Sequence, residues 1–154
     1  DPQTGAIIAM DSLPSFDPNE FQQVKDPSVF INQNVSGVYE MGSIIKPITM
    51  AIAIDSGKVD ENKTTYYDTG FRDLNGYKVR NFDGKARGKN TSMQAILDQS
   101  LNVGIVFLVE QLGIKPFQEY FKKFGLGSET GIDLPGELFQ LTQANVYLAC
   151  LCTW

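Results

Sequence analysis

The sequence predicts an α/β domain, and three features carry that expectation. Behind the turn residues Asp1-Pro2-Gln3-Thr4-Gly5, the apolar run Ala6–Met10 reads as a buried strand. From Gly42 onward a strongly apolar stretch reads as a core helix. Between Thr91 and Gly125, further helical segments follow one another with stop signals between them, the kind of helical hairpin that packs against a sheet.

Taken in order, the first strand needs a partner, and no strand stands before Asp1. The expectation is that the partner lies outside this chain, which begins with Asp rather than Met and reads as a piece of a longer one. Leu13 to Val38, with Pro14, Asp17-Pro18-Asn19 and Asp26-Pro27, reads as an irregular excursion. The core helix runs from Ser43 through Ser56, with Gly57 as its stop. Tyr66, Tyr67, Phe71, Tyr77 and Val79, with Asn75-Gly76 as a turn, suggest a small β excursion. Thr91 and Gln94 form a capping box that opens a short helix through Gln99. A second helix runs from Asn102 to Leu112, stopped by Gly113, and a third from Pro116 to Phe124, stopped by Gly125.

Composition excludes several classes of function. The chain has 154 residues, 42% of them hydrophobic, enough for one domain with a core and too few for two. A formal charge of −5, with 13 scattered Lys and Arg, argues against nucleic acid, whose affinity comes from cations neutralising phosphates. His is absent, which removes Ser-His and Cys-His pairs and His-ligated metals, so any base must be Lys, Asp, Glu or Tyr. Cys150 and Cys152 are too few for a disulfide framework or a four-ligand zinc site. No cofactor or metal is expected. The chain has no signal-like segment and no apolar run long enough to span a bilayer.

Within Gly42-Ser43-Ile44-Ile45-Lys46-Pro47, Ser43 and Lys46 stand three residues apart at a helix start, on one face. A serine hydroxyl is a weak nucleophile until a base takes its proton, and a lysine whose pKa is lowered by burial can be that base. Ile44, Ile45 and Ile48 supply apolar surroundings, and a helix N-terminus offers N–H groups for a developing oxyanion. Pro47 is compatible, because near the helix start it forfeits only the first intrahelical bond. The plainer alternative makes Ser43 an N-cap and Lys46 a solvated first-turn residue, and a Ser-x-x-Lys pair arises by chance in about one chain in two of this length. Ser100-Leu101-Asn102 lies between two helices, where both polar side chains can project from one side of an extended connection. Such a serine can relay a proton and such an amide can hold a peptide. As an alternative, both are good caps for the helix that follows.

Together, Ser43-x-x-Lys46 and Ser100-x-Asn102 match the first two motifs of the penicillin-interacting enzymes. The flanks are more specific: Asp1 through Met10, Tyr39 through Pro47, Asn81-Phe82-Asp83-Gly84-Lys85, and Thr130 through Glu137. From Asp1 to Glu137 the chain resembles the transpeptidase domain of a class B penicillin-binding protein. The resemblance implies a penicillin-binding transpeptidase (serine β-lactamase-like) sandwich, an antiparallel sheet flanked by helices, here incomplete at both ends. It also implies residue roles. Ser43 attacks the penultimate D-Ala carbonyl of a stem peptide ending in D-Ala-D-Ala, Lys46 is the base, Ser100 returns the proton to the departing amine, and Asn102 binds the substrate's backbone amide. β-Lactam antibiotics would acylate Ser43 by the same route. A glycosyltransferase of the elongation or division machinery is the implied partner. The implied location is the outer side of the bacterial cytoplasmic membrane, although no anchor is in this chain.

The third family motif, Lys-Thr-Gly, is not found. Lys63-Thr64-Thr65 lacks the glycine and precedes Ser100, and Glu129-Thr130-Gly131 lacks the lysine. Residues 138–154 read as an atypical tail without family likeness. The expectation is therefore an inactive truncated chain, poorly soluble where its first strand lies open. Rival readings are a serine β-lactamase or β-lactam sensor domain, and a non-enzymatic remnant that binds a cell-envelope partner.

Overall fold

A proline directly after the Gly42–Lys46 turn decides how the core helix begins. Without an N–H, Pro47 cannot donate to the Ser43 carbonyl, and the Lys46 N–H takes that acceptor three residues back instead. Gly42–Ile45 is consequently a 3₁₀ turn, and the α-helix proper covers only Lys46–Asp55. The computed structural model describes residues 1–37, 39, 41–74 and 76–138. They fall into two compact units, one within 1–39 and 129–140, the other within 40–128.

In the first unit the excursion contains three short helical elements, each opened by an Asp or Asn, the first of them kinked at Glu20. Asp17, Asp26 and Asn32 accept from the backbone N–H two residues on, at the heads of 3₁₀ turns Pro18–Gln23 and Pro27–Phe30 and of the one-turn helix α1, Gln33–Ser36. Pro18 and Pro27 fill first-turn positions whose N–H would have no partner. The Thr130–Glu137 stretch returns to α1: Ser36 Oγ donates to the Gly136 carbonyl at 2.6 Å, and Glu137 accepts from the Thr130 N–H at 2.8 Å. The strand expected over Ala6–Met10 does not form. That segment joins no ladder among the described residues, and Ile7 and Ile8 are 59% and 83% exposed. Its continuous apolar run fits a buried strand, but a strand is completed by a neighbour's N–H and C=O groups.

The second unit carries the core. Its elements are α2 (Lys46–Asp55), β1 (Thr65–Asp68), β2 (Phe71–Leu74), β3 (Tyr77–Arg80), β4 (Gly88–Ser92), α3 (Met93–Asp98), α4 (Asn102–Leu112) and α5 (Ile114–Lys123). The described strands form two antiparallel pairs, β1 with β4 (Tyr66 opposite Thr91) and β2 with β3 (Arg72 opposite Val79). The expected α/β class therefore stands, with the β excursion larger than the aromatic residues alone suggested. Asn75 of the expected Asn75-Gly76 turn lies outside the described residues, as do both cysteines and the tail from 139 onward.

Helix α4 has the bounds read from sequence, ended by Gly113 at φ +78. It is apolar over most of its surface and buried from Asn102 to Leu112 except at Phe107, Glu110 and Gln111, which makes it the central element. Helix α5 begins two residues earlier than expected and turns Phe117 and Phe121, one helical turn apart, into the core. The capping box is displaced by one residue. Thr91 belongs to β4, where Tyr66 holds it in register, and Ser92 caps α3 by accepting from the Ala95 N–H at 3.2 Å.

One close approach fixes how α4 meets β1 and α3. A Cβ on Gly104 would lie 2.5 Å from Ile96 Cγ1 and 2.8 Å from the Tyr66 hydroxyl. Ile96 is fully buried and Tyr66 is bonded to Asp68, so neither can yield. Overpacking of about 1–3 kcal/mol outweighs the roughly 1 kcal/mol that alanine gains over glycine in a helix. Gly104→Ala is expected to cost about 2 kcal/mol at the upper end of that balance; a denaturant midpoint equal to the wild type would show that the packing gives way.

Candidate functional site

The 3₁₀ turn has a consequence for chemistry, because at three residues per turn the side chains of residues three apart eclipse one another. Ser43 and Lys46 thus stand one above the other. Ser43 is exposed, whereas Lys46 is 2% exposed at the head of α2. Burial pulls the Lys46 amine down from 10.5 to about 8. The capping alternative for Ser43 does not describe this turn, since neither the 3₁₀ turn nor α2 has a side-chain cap. Nor is Lys46 solvated.

Three oxygens surround Lys46 Nζ: the Ser100 carbonyl at 2.7 Å, Ser100 Oγ at 2.9 Å and Asn102 Oδ1 at 2.6 Å. Ser100 Oγ in turn lies 3.1 Å from Ser43 Oγ. All four residues picked out by the sequence motifs therefore meet, and the link from amine to exposed serine runs through the second serine. As an ammonium, Lys46 offers three donors to three acceptors. As a neutral amine it offers two, and the Ser100 carbonyl and Asn102 Oδ1 can only accept. Its lone pair then faces the Ser100 hydroxyl, the one partner able to donate.

Ser100 occupies this place through a backbone conformation that the sequence reading missed. The connection is not extended: Ser100 has φ +51, left-handed. Its N–H reaches the Leu97 carbonyl and the next N–H, of Leu101, the Ile96 carbonyl, the paired bonds that close a helix C-terminus with the left-handed residue between them. Glycine is the usual occupant, and a serine there costs on the order of 1 kcal/mol. The hydroxyl that this serine brings makes the contacts with Lys46 and Ser43. Asn102 is likewise no cap. It is the first residue of α4, 5% exposed, and its Nδ2 donates to the Arg80 carbonyl at 2.7 Å. Arg80 and its neighbour Asn81 were not singled out for the site. Asn81 stood in a family-like stretch, but no spacing rule connects it to Asn102.

No group of His, Cys, Asp or Glu side chains able to hold a metal occurs among the described residues.

Comparison with known proteins gives a consistent picture. The family model described as the penicillin binding protein transpeptidase domain matches residues 1–149, a span that includes residues beyond Glu137. Stage V sporulation protein D of Bacillus subtilis is 41% identical over 138 residues, which cover 88% of this chain and 21% of that protein. Peptidoglycan D,D-transpeptidase MrdA of Escherichia coli is 33% identical over 149 residues, covering 89% of this chain and 23% of the relative. The crystal structure of Pseudomonas aeruginosa PBP2 in complex with WCK 5153 superposes with a TM-score of 0.77 at 30% identity, covering 92% of this chain and 34% of that one. The chain thus spans about a fifth of the length of the curated relatives it matches.

Proposed function

This chain belongs to the penicillin-binding protein transpeptidase family, and from that premise we propose that it carries the acylation machinery of a peptidoglycan D,D-transpeptidase. The observation that carries the reading is the hydrogen-bonded path Ser43–Ser100–Lys46, which ends on a buried amine with a lowered pKa.

In this reading Ser43 Oγ attacks the penultimate D-Ala carbonyl of a stem peptide. Its proton passes to Ser100 Oγ as the Ser100 proton passes to Lys46 Nζ. Collapse of the tetrahedral intermediate breaks the peptide C–N bond. The proton returns by the same path to the terminal D-Ala nitrogen, which leaves as the amine. The acyl-enzyme ester is then resolved by an amine of a neighbouring stem, whose proton follows the first route. Ser43 stands one turn before α2, so the positive end of that helix faces the oxygen on which charge develops. The family likeness gives Asn102 to the substrate's backbone amide. Its bonds to Lys46 and the Arg80 carbonyl support a second task, holding the amine. β-Lactams would acylate Ser43 in the same way. We also propose a glycosyltransferase partner and a place on the outer side of the cytoplasmic membrane; no helix among the described residues is long and apolar enough to cross a membrane.

The test is the site and fate of a penicillin adduct on the intact protein. Because Lys46-Pro47 resists trypsin, Ser43 falls in the tryptic peptide 26–58, and fragmentation is expected to assign the penicilloyl group to Ser43. An adduct on another residue would overturn the reading, and rapid hydrolytic release of the adduct would point instead to a β-lactamase.

A further inference from the structure

The orientation of the Asn102 amide is set by a buried network that no motif reading included. Its centre is Asn81, 2% exposed, just after β3. The Arg80–Asn81 peptide plane is held on both sides. The Asn81 N–H donates to the Gly70 carbonyl at 3.0 Å, and the Arg80 carbonyl accepts from Asn102 Nδ2 at 2.7 Å. The Asn81 side chain binds the same region a second time, since its Oδ1 accepts from the Val103 N–H at 3.2 Å, in the first turn of α4.

Asn81 itself cannot turn. Its Nδ2 lies 3.0 Å from each oxygen of Asp68 and 3.1 Å from the Lys85 carbonyl, all acceptors, so the NH₂ end must face them and the oxygen end must face α4. Asp68 is fully buried and is held by the Gly70 N–H at 2.7 Å and the Tyr66 hydroxyl at 3.2 Å. Burial and the neighbouring carboxylate push the Tyr66 hydroxyl well up, so it keeps the proton that it donates. A network in which each amide has one permitted orientation passes that orientation on. A carbonyl at Arg80 claims the NH₂ end of Asn102, and the oxygen end is thereby aimed at Lys46 Nζ.

Resting on the reading of Lys46 as the base, we propose that Asn81, clamped by Asp68, is the positioning residue that fixes the Asn102 amide and, through it, the direction of the Lys46 amine. Asn81 touches none of the reacting groups. Its effect is on the fraction of time the amine's lone pair faces Ser100. It also affects the proton equilibrium of the amine, whose hydrogen-bonding neighbours, Ser100 and Asn102, are themselves uncharged. Losing Asn102 Oδ1 removes an acceptor that favours the ammonium form, so the apparent pKa must fall.

The experiment measures the rate of acylation by a fluorescent penicillin across pH in the intact protein, alongside thermal unfolding. In Asn81→Ala the rate at its pH plateau is expected to fall about 10- to 100-fold, with the midpoint of the pH profile about half a unit or more below that of the wild type. A lost contact that only loosened the fold would lower the melting temperature without moving that midpoint. A folded Asn81→Ala with wild-type rate and midpoint overturns the proposal. Should Asn81→Ala not fold, the near-isosteric Asp68→Asn decides. It turns one oxygen facing the Asn81 NH₂ into a second donor, and is expected to shift rate and midpoint in the same directions; no shift in either overturns the proposal. Retained labelling of Ser43→Ala would sink the underlying function instead, so the two failures are distinct.

Discussion

In Ser43→Ala, labelling by penicillin is expected to fall by at least about 10³-fold, with the stability of the protein within about 0.5 kcal/mol of the wild type. The two halves of this expectation come from different features. Labelling is lost because the variant has no oxygen to form the ester, and Ser100 cannot replace it. The Ser100 hydroxyl is half-buried, bonded to Lys46, and fixed by a left-handed backbone at the end of α3. Stability is retained because Ser43 is exposed and caps nothing. A helix-capping serine would behave otherwise, since its loss costs typically about 1 kcal/mol and leaves chemistry elsewhere intact. Rate-resolved labelling together with denaturant unfolding separates the readings. A destabilised variant that still labels would make Ser43 a structural residue.

How much of this was legible beforehand depends on the range over which each feature is decided. Local features were legible. The bounds of α4 follow from an apolar run closed by Gly113, and Asp17 and Asp26, each followed by proline, announce turns because their short carboxyl groups bond the backbone nearby. The spacing of Ser43 and Lys46 guaranteed a shared face, and Pro47 sharpened it into an eclipsed 3₁₀ pair. Features decided by a partner were not legible. Ala6–Met10 has the apolar run of a buried strand without a ladder, and Thr91 has capping chemistry, but β1 claims it for a strand and leaves the cap to Ser92. Likewise nothing in Ser100-Leu101-Asn102 by itself says that its serine is left-handed, or that both polar groups converge on an amine 54 and 56 residues earlier. The motif likeness brought those residues onto one page; the physical reason for their meeting is the packing of α2 against α4. Asn81 stands in a family-like stretch, but its pairing with Asp68 was not legible, because a buried amide and a solvated one are spelled with the same letters.

The sharper test of the site is Lys46→Met, which keeps the length of the side chain and removes its proton chemistry. Acylation is expected to fall by roughly 10²–10⁴-fold, and the pH dependence should change with it. In the wild type the rate should rise as the amine gives up its proton, with a midpoint near about 8, and then level off; in the variant the residual rate should be flat through that window. The same group leaves a signature in stability. Its folded pKa, about 8, lies below its ordinary 10.5. Between those values the unfolded chain binds more protons than the native one, so this group makes stability rise with pH there. Below about 8 both states carry the proton and the full cost of the buried charge is present, on the order of 3 kcal/mol. The absolute stability of the variant at neutral pH is a poor measure, because removing the amine relieves that cost but also takes a donor from the Ser100 carbonyl and from Asn102 Oδ1, and a buried polar group that loses its partner costs about 1–3 kcal/mol. The change with pH is free of this difficulty. The unfolding free energy of the wild type minus that of Lys46→Met should grow by up to about 3 kcal/mol between neutral pH and pH values beyond 10.5, all other titrating groups cancelling in the difference. A constant difference would mean that the amine is not desolvated in the native state. A variant whose labelling still climbs with the wild-type midpoint would mean that some other group takes the proton from Ser43.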